Sequence, residues 1–155
     1  MTGDFFFALK CTQLDTQNKP LTYHTMENVN STKVRGVRGA ITVEKDQGDL
    51  ILDKTKVLLS QLFLANEIQP DDVASIFFSL TPDLHKAFPA VAARQLEWNE
   101  VPLFCMQELD IEGALSHCIR VLIHWNTNKA ASQIQHLYLE GAKVLRPDLS
   151  IAEPK

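Results

Sequence analysis

From Val34 onward, hydrophobic residues switch between a period of two and a period near 3.6, and the switches mark out the elements. VRGVRGAITV, residues 34–43, reads as a strand interrupted by two glycines, with Val34, Gly36, Arg38 and Ala40 on one face. Glycine weakens a strand, so Gly36 and Gly39 predict a bulge or a close approach by another chain or a ligand. After the charged turn VEKDQGD, the stretch LILDKTKVLLSQLFLANE repeats Ile51, Thr55, Leu58, Leu62 and Ala65 at helical spacing and predicts a packing helix. Pro70 with Asp71 and Asp72 marks a short turn or helix start, and SIFFSLT, residues 75–81, reads as a buried strand.

In TPDLHKAFP, Thr81 suits a helix cap, Pro82 the first helical position and Asp83 the positive end of a helix dipole. Pro89 breaks that ladder and leaves Phe88 at a corner, either walling a pocket or anchoring a core or interface. AVAARQL predicts another short helix ending near Trp98, on which Arg94 either shares a cleft with Phe88 or faces water. VPLFCM reads as a strand, QELDIEGALS as a loop and HCIRVLIHW as a second strand. Finally, NKAASQIQHLYLEGAKVL repeats Ile134, Leu137, Tyr138, Gly141 and Leu145 and predicts a helix that ends at Pro147, with Arg146 beside the break.

One residue does not fit an ordinary strand. On HCIRVLIHW, Cys118, Arg120, Leu122 and His124 alternate with Ile119, Val121, Ile123 and Trp125, so Arg120 points into one face of a mostly apolar strand. A guanidinium there needs an acid or a ligand anion, because desolvating an unpaired charge is expensive. Glu108, where the preceding strand gives way to its loop, is the candidate acid. Two readings stay open: a structural ion pair, or an arginine facing a bound carboxylate or ether oxygen while the glutamate accepts from a substrate hydroxyl.

Composition narrows the setting. The 155 residues, 45% of them apolar, fit one folded domain over residues 33–150, with a flexible N-terminal extension over residues 1–32 and a short tail over 151–155. Phe5, Phe6 and Phe7 form the only apolar patch of that extension and are expected to be covered, for instance by a neighbouring subunit. A net charge of −4 without a basic run argues against nucleic acid and anionic membrane as partners. Three scattered cysteines suggest neither a disulfide framework nor a metal pair, so a reducing cytoplasm is the expected compartment. No stretch approaches a membrane span, and FFFALK lacks the basic start of a secretory signal. HExxH, GxGxxG, P-loop and GxSxG motifs are absent, so neither a metal nor a cofactor is expected. What the chain offers is arginines, a glutamate, a tyrosine and apolar walls. That inventory suits either a reaction needing charge and shape complementarity with little proton transfer, or a passive carboxylate-binding module.

Five stretches, VRGVRGAITVE, TPDLHKAFPAVAAR, VPLFCMQELD, CIRVLIHWNT and HLYLEGAKVLRPDLS, occur in the order and at nearly the spacing of the monofunctional trimeric chorismate mutases of the bacterial type, which the chain resembles over about three quarters of its length. The resemblance implies an α/β fold, a mixed β-sheet packed with helices, assembled as a homotrimer with a barrel-like core and active sites at subunit interfaces. It implies cofactor-free conversion of chorismate to prephenate. It further implies that Arg38 holds a substrate carboxylate, Arg120 donates to the ether oxygen and Glu108 bonds the ring hydroxyl. Tyr138 is implied to contact the enolpyruvyl carboxylate, with Cys105 near the ring hydroxyl. Phe88, Ala90 and Arg94 match the cleft wall contributed across the interface, and Leu145 and Arg146 match the tail that approaches the site. Val91 and Phe104 depart from the pattern, standing where a lysine and a threonine can occur, which implies weaker attraction for the dianion and altered polar contacts. A trimeric enzyme of the enamine/imine deaminase kind and a non-enzymatic trimer that binds a carboxylate metabolite are the rival readings.

Overall fold

The computed structural model of the protein describes residues 32–149. The expected extension, Thr32 apart, and the tail over 151–155 lie outside the described residues. Five strands, β1 (Lys33–Thr42), β2 (Val73–Leu80), β3 (Leu103–Gln107), β4 (Cys118–Thr127) and β5 (Leu137–Leu139), form one sheet in the order β3-β2-β4-β1-β5. Central β4 runs antiparallel to both β1 and β2, while β3 and β5 add as parallel edge strands. Two helices, α1 (Gly48–Asn66) and α2 (Pro89–Gln95), complete an α/β architecture.

The period-two pattern decides which side of the sheet meets the helices. Val37 and Ile41 of β1, Ile76 and Phe78 of β2, and Ile119, Val121, Ile123 and Trp125 of β4 enter one apolar core with Leu58, Leu59 and Leu62 of α1. The alternate residues, including Arg38, Phe77, Ser79, Arg120, Leu122 and His124, project from the other face, where a small cluster of Ala40, Cys118 and Ala142 is buried. Gly39 explains itself in this frame. A Cβ there would lie 2.6 Å from Leu62 and 3.0 Å from Leu58, so the glycine lets α1 seat directly on β1.

Two expected helices are replaced. Residues 81–88 form turns, because Thr81 spends its groups across the sheet instead of capping: its N–H donates to the Cys118 carbonyl (3.1 Å) and its hydroxyl accepts from the Cys118 N–H (2.9 Å). Asp46 Oδ1 then accepts from the N–H groups of His85 and Lys86 (3.0 Å each), satisfying backbone that a helix would have used. The expected helix over residues 128–145 is instead a 3-10 turn (Ala131–Gln133), strand β5 and a second 3-10 turn (Glu140–Leu145). The edge of β1 decides this: pairing Gly39 with Leu137, Ala40 with Tyr138 and Ile41 with Leu139 satisfies its open backbone groups.

Buried Asn66, at the end of α1, fixes where that strand begins. Its Nδ2 donates to the Gln135 carbonyl (2.9 Å) and its Oδ1 accepts from the Gln135 N–H (2.8 Å). Gly141 fixes where the chain turns away, since its N–H donates to Thr42 Oγ1 (3.0 Å) and a Cβ would approach that oxygen to 2.9 Å.

Leu62→Ala is expected to destabilise the fold by about 2–5 kcal/mol and Gly39→Ala by about 1–3 kcal/mol in urea unfolding. The double variant should lose less than the sum, because the space emptied at Leu62 is the space the new methyl group needs.

Candidate active site

The face of the sheet turned away from α1 carries an open cavity of about 600 Å³. Arg38 of β1, Ser79 of β2, Arg120 of β4 and Tyr138 of β5 line it, joined by Leu145 and Arg146 from the turn that follows β5. Register brings these together: Arg120 stands between Ala40 on β1 and Ser79 on β2, two small neighbours that leave room for a guanidinium. Leu122 and Phe77 continue the same face as apolar wall.

Arg120 and Glu108 do meet, but loosely. Arg120 Nη1 lies 3.7 Å from Glu108 Oε2, an ion-pair distance beyond that of a hydrogen bond. Glu108 is instead fixed by β2. Its N–H donates to the Leu80 carbonyl (2.8 Å), and the Ser79 hydroxyl donates to its Oε1. Arg120 Nε is buried without a hydrogen-bond partner among the described residues, an arrangement that native structures avoid unless the group has another use. Beside it, burial pushes the Cys118 thiol above its ordinary pKa, although Arg120 pulls the other way.

The second cationic corner is built around Arg38 and Arg146. Arg146 forms a two-pronged pair with Asp148, Nε to Oδ1 at 2.8 Å and Nη2 to Oδ2 at 2.6 Å, and it also bonds the Tyr138 phenol. That pairing holds Asp148 below the usual carboxylate range. Arg146, read from sequence as covering an anionic site or facing water, is thus tied to its own turn. Tyr138 does not belong to a helical core stripe; it sits on β5 directly opposite Ala40.

Phe88, Ala90, Arg94 and Cys105 form a separate group on the other side of β3. Cys105 alternates with Phe104 and Met106, so its side chain turns toward the helix layer, where it hydrogen-bonds the Ala90 backbone and lies near Arg94. Burial raises its pKa. Phe88 is 72% exposed and Phe104 57% exposed, the latter tilted against Phe77 at 5.9 Å between ring centres. Within one chain, then, the ten candidate residues occupy two places, not one cleft.

Sequence reasoning missed Ser79 and His136. Ser79 was legible in the alternation of SIFFSLT, which puts Ser75, Phe77 and Ser79 on the face opposite Ile76, Phe78 and Leu80. His136 had no such signal, because its Nδ1 accepts from the Arg38 N–H (3.1 Å), a residue 98 positions away. Among the described residues no group of three or more His, Cys, Asp or Glu side chains is arranged to hold a metal ion.

The fold is thus a mixed-sheet α/β protein with Arg38, Arg120 and Arg146 lining one cavity on the face turned away from the helices. Residues 34–149 match the family model of chorismate mutase type I. The chain is 50% identical over 121 residues to the chorismate mutase AroH of Bacillus subtilis, covering 77% of this chain and 95% of that one. It is 46% identical over 121 residues to the chorismate mutase AroH of Thermus thermophilus, covering 77% and 99%. A solved chorismate mutase from Clostridium thermocellum superposes with a TM-score of 0.71 at 46% identity, covering 72% of this chain and 99% of that one. The chain therefore belongs to the type I chorismate mutase family. It is an isomerase of aromatic amino acid biosynthesis, and neither the imine-deaminase reading nor the passive carboxylate binder is favoured.

His136 gives the site a pH signature. Burial, then the charges of Arg38 and Arg146, hold its pKa below the ordinary 6.5. The neutral ring is the form that accepts from Arg38, so the stabilisation it supplies is complete above pH 6.5 and is lost as pH falls toward the depressed folded value. Urea midpoints of the wild type should therefore drop as pH falls below about 6.5, and His136→Gln should flatten that dependence.

Proposed function

We propose that chorismate rearranges to prephenate in the cavity on the uncovered sheet face, with Arg120 as the group that stabilises the transition state. The reaction is intramolecular: the ether C–O bond breaks while a new C–C bond forms, and negative charge grows on the ether oxygen. No nucleophile or general base is required. The protein has to hold the chair-like conformer and present donors where charge develops, so that its help is greater in the transition state than in the ground state.

The observation that carries this reading is the state of Arg120. Its Nε is buried without a partner among the described residues, and its nearest acid stays 3.7 Å away because Ser79 and Leu80 hold Glu108. A guanidinium kept so incompletely paired retains donors for a ligand oxygen. In this reading Glu108 turns a carboxylate oxygen to the ring hydroxyl, Arg38 takes a substrate carboxylate and Tyr138 contacts the enolpyruvyl carboxylate. Arg146, with Leu145 beside it, would exchange part of its bond to Asp148 for substrate. The enzyme would work without a cofactor, in the cytoplasm, through residues 33–150.

We assign Phe88, Ala90, Arg94 and Cys105 to the site of a neighbouring copy. Their position on the far side of β3, with Phe88 and Phe104 exposed, supports a homotrimer whose clefts combine two chains. Val91, 39% exposed on the same helix, brings no charge to that wall where a lysine would.

Arg120→Ala should cut kcat by roughly 10²- to 10³-fold, followed as loss of chorismate absorbance, with assembly unchanged. Citrulline at the same position, which keeps shape and removes charge, should be nearly as poor; near-normal turnover by either variant would end the assignment. A shared cleft has its own signature. Mixing inactive Arg120→Ala chains with inactive Arg94→Glu chains should restore about a quarter of the sites, because every mixed trimer has one site that pairs the two intact residues. No recovery after unfolding and joint refolding would mean each chain carries a whole site.

A further inference from the structure

The loop between Glu108 and Arg120 is held at its two ends. Its middle is open to solvent, with Leu109 80% and Ile111 60% exposed, and of its side chains between residues 109 and 116 only Leu115, near the far end, is partly buried, against Ala40, Cys118 and Ala142. The ends meet one short segment, Ser79 to Asp83, that leaves β2. At the near end Ser79 and Leu80 fix Glu108, as described above.

At the far end Thr81 and Asp83 fix the start of β4. The Thr81 hydroxyl accepts from the Cys118 N–H at 2.9 Å and donates to Asp83 Oδ1, while Asp83 Oδ2 accepts from the His117 N–H at 2.8 Å. The His117 ring adds Nδ1 at 3.3 Å from the same oxygen. Burial pushes the Asp83 carboxyl up, but the Thr81 hydroxyl and the His117 N–H together hold it below its ordinary range, as an anion.

His117 itself has φ 51°, the left-handed region that a non-glycine residue adopts at a cost and keeps only where its surroundings impose it. Its carbonyl accepts from the Val43 N–H (2.8 Å), so the turned residue also anchors β4 to β1. Arg120 follows three residues later. None of Thr81, Asp83 and His117 lines the cavity of Arg120.

We propose that Thr81, Asp83 and His117 form a clasp that acts as a positioning device for catalysis, setting the place of Arg120 relative to Glu108. Resting on the assignment of Arg120 made above, it follows from geometry: one segment holds both ends of a loop whose middle is exposed. The ladders hold the body of β4, so releasing the far end loosens only its first residues, Cys118 to Arg120, against the Ser79–Leu80 end of β2, while Glu108 stays with Ser79. Small displacements of a charge-stabilising donor are costly to rate and far less costly to ground-state binding, to which Arg38 also contributes.

The test is Thr81→Val, which keeps side-chain shape and removes the hydroxyl, against Thr81→Ser, which keeps the hydroxyl. In the assembled enzyme, Thr81→Val should lower kcat about tenfold per folded molecule with KM changed less than about twofold, and Thr81→Ser should restore kcat. A clasp that only stabilises the fold would lower the urea midpoint and leave kcat per folded molecule unchanged, which would overturn the proposal. Should Thr81→Val not fold, Asp83→Asn decides in the same way: a loss confined to kcat supports the clasp, and an unaltered kcat overturns it. An inactive wild type would overturn the site assignment and the clasp together, whereas an active wild type with unaffected variants would overturn the clasp alone.

Discussion

Arg120 is a permanent cation on the central strand of a sheet, and the rest of the structure is arranged so that it is neither stranded nor neutralised. Full burial would demand a tight acid partner, and full exposure would leave the charge to water. The protein takes a middle course. Helices cover only one face, Arg120 projects from the other, and its acid is kept at 3.7 Å by a competing serine. The small neighbours Ala40 and Ser79 leave space around the guanidinium on both sides. The same face can therefore be stable without ligand and still have donors available to one.

Strand β5 is the second consequence. Pairing with β1 brings Tyr138 opposite Ala40 and draws the following turn, with Leu145 and Arg146, over the rim of the same face. That placement is secured from several directions: Asn66 at the end of α1, Thr42 against Gly141, and Lys54, which bridges Glu44 (3.0 Å) and Glu140. Glu140 adopts φ 51° where the strand gives way to the 3-10 turn, so the chain bends sharply there. A continuous helix over these residues would have placed Tyr138 on a helical stripe and left the β1 edge open.

The two groups of candidate residues have different character. The inner group is polar, interlocked and fixed by sheet register; the outer one rests on α2 and β3 and presents aromatic surface outward. In the proposed shared site, each copy would present its outward-facing group to a neighbour's interlocked one.

Strand and helix periods by themselves determined β1, α1, β2, α2, β3 and β4, since each buries one face in the helix–sheet core and local alternation reports that directly. Alternation also put Arg38 with Ala40 and Arg120 with Leu122, and motif order pointed to the family. The Thr81 segment and residues 128–145 were misread because their fate rests on distant partners: Cys118 for the Thr81 hydroxyl, the β1 edge for Leu137 to Leu139. Helical spacing in the second of these was real in the sequence, yet three residues of strand pairing and a buried asparagine outweighed it. Only tertiary structure could bring Ser79 to Glu108, His136 to Arg38 and Asp83 to His117, because hydrogen bonds between remote positions leave no periodic trace in the chain. Sequence thus fixed which faces carry charge, and folding decided which charges meet.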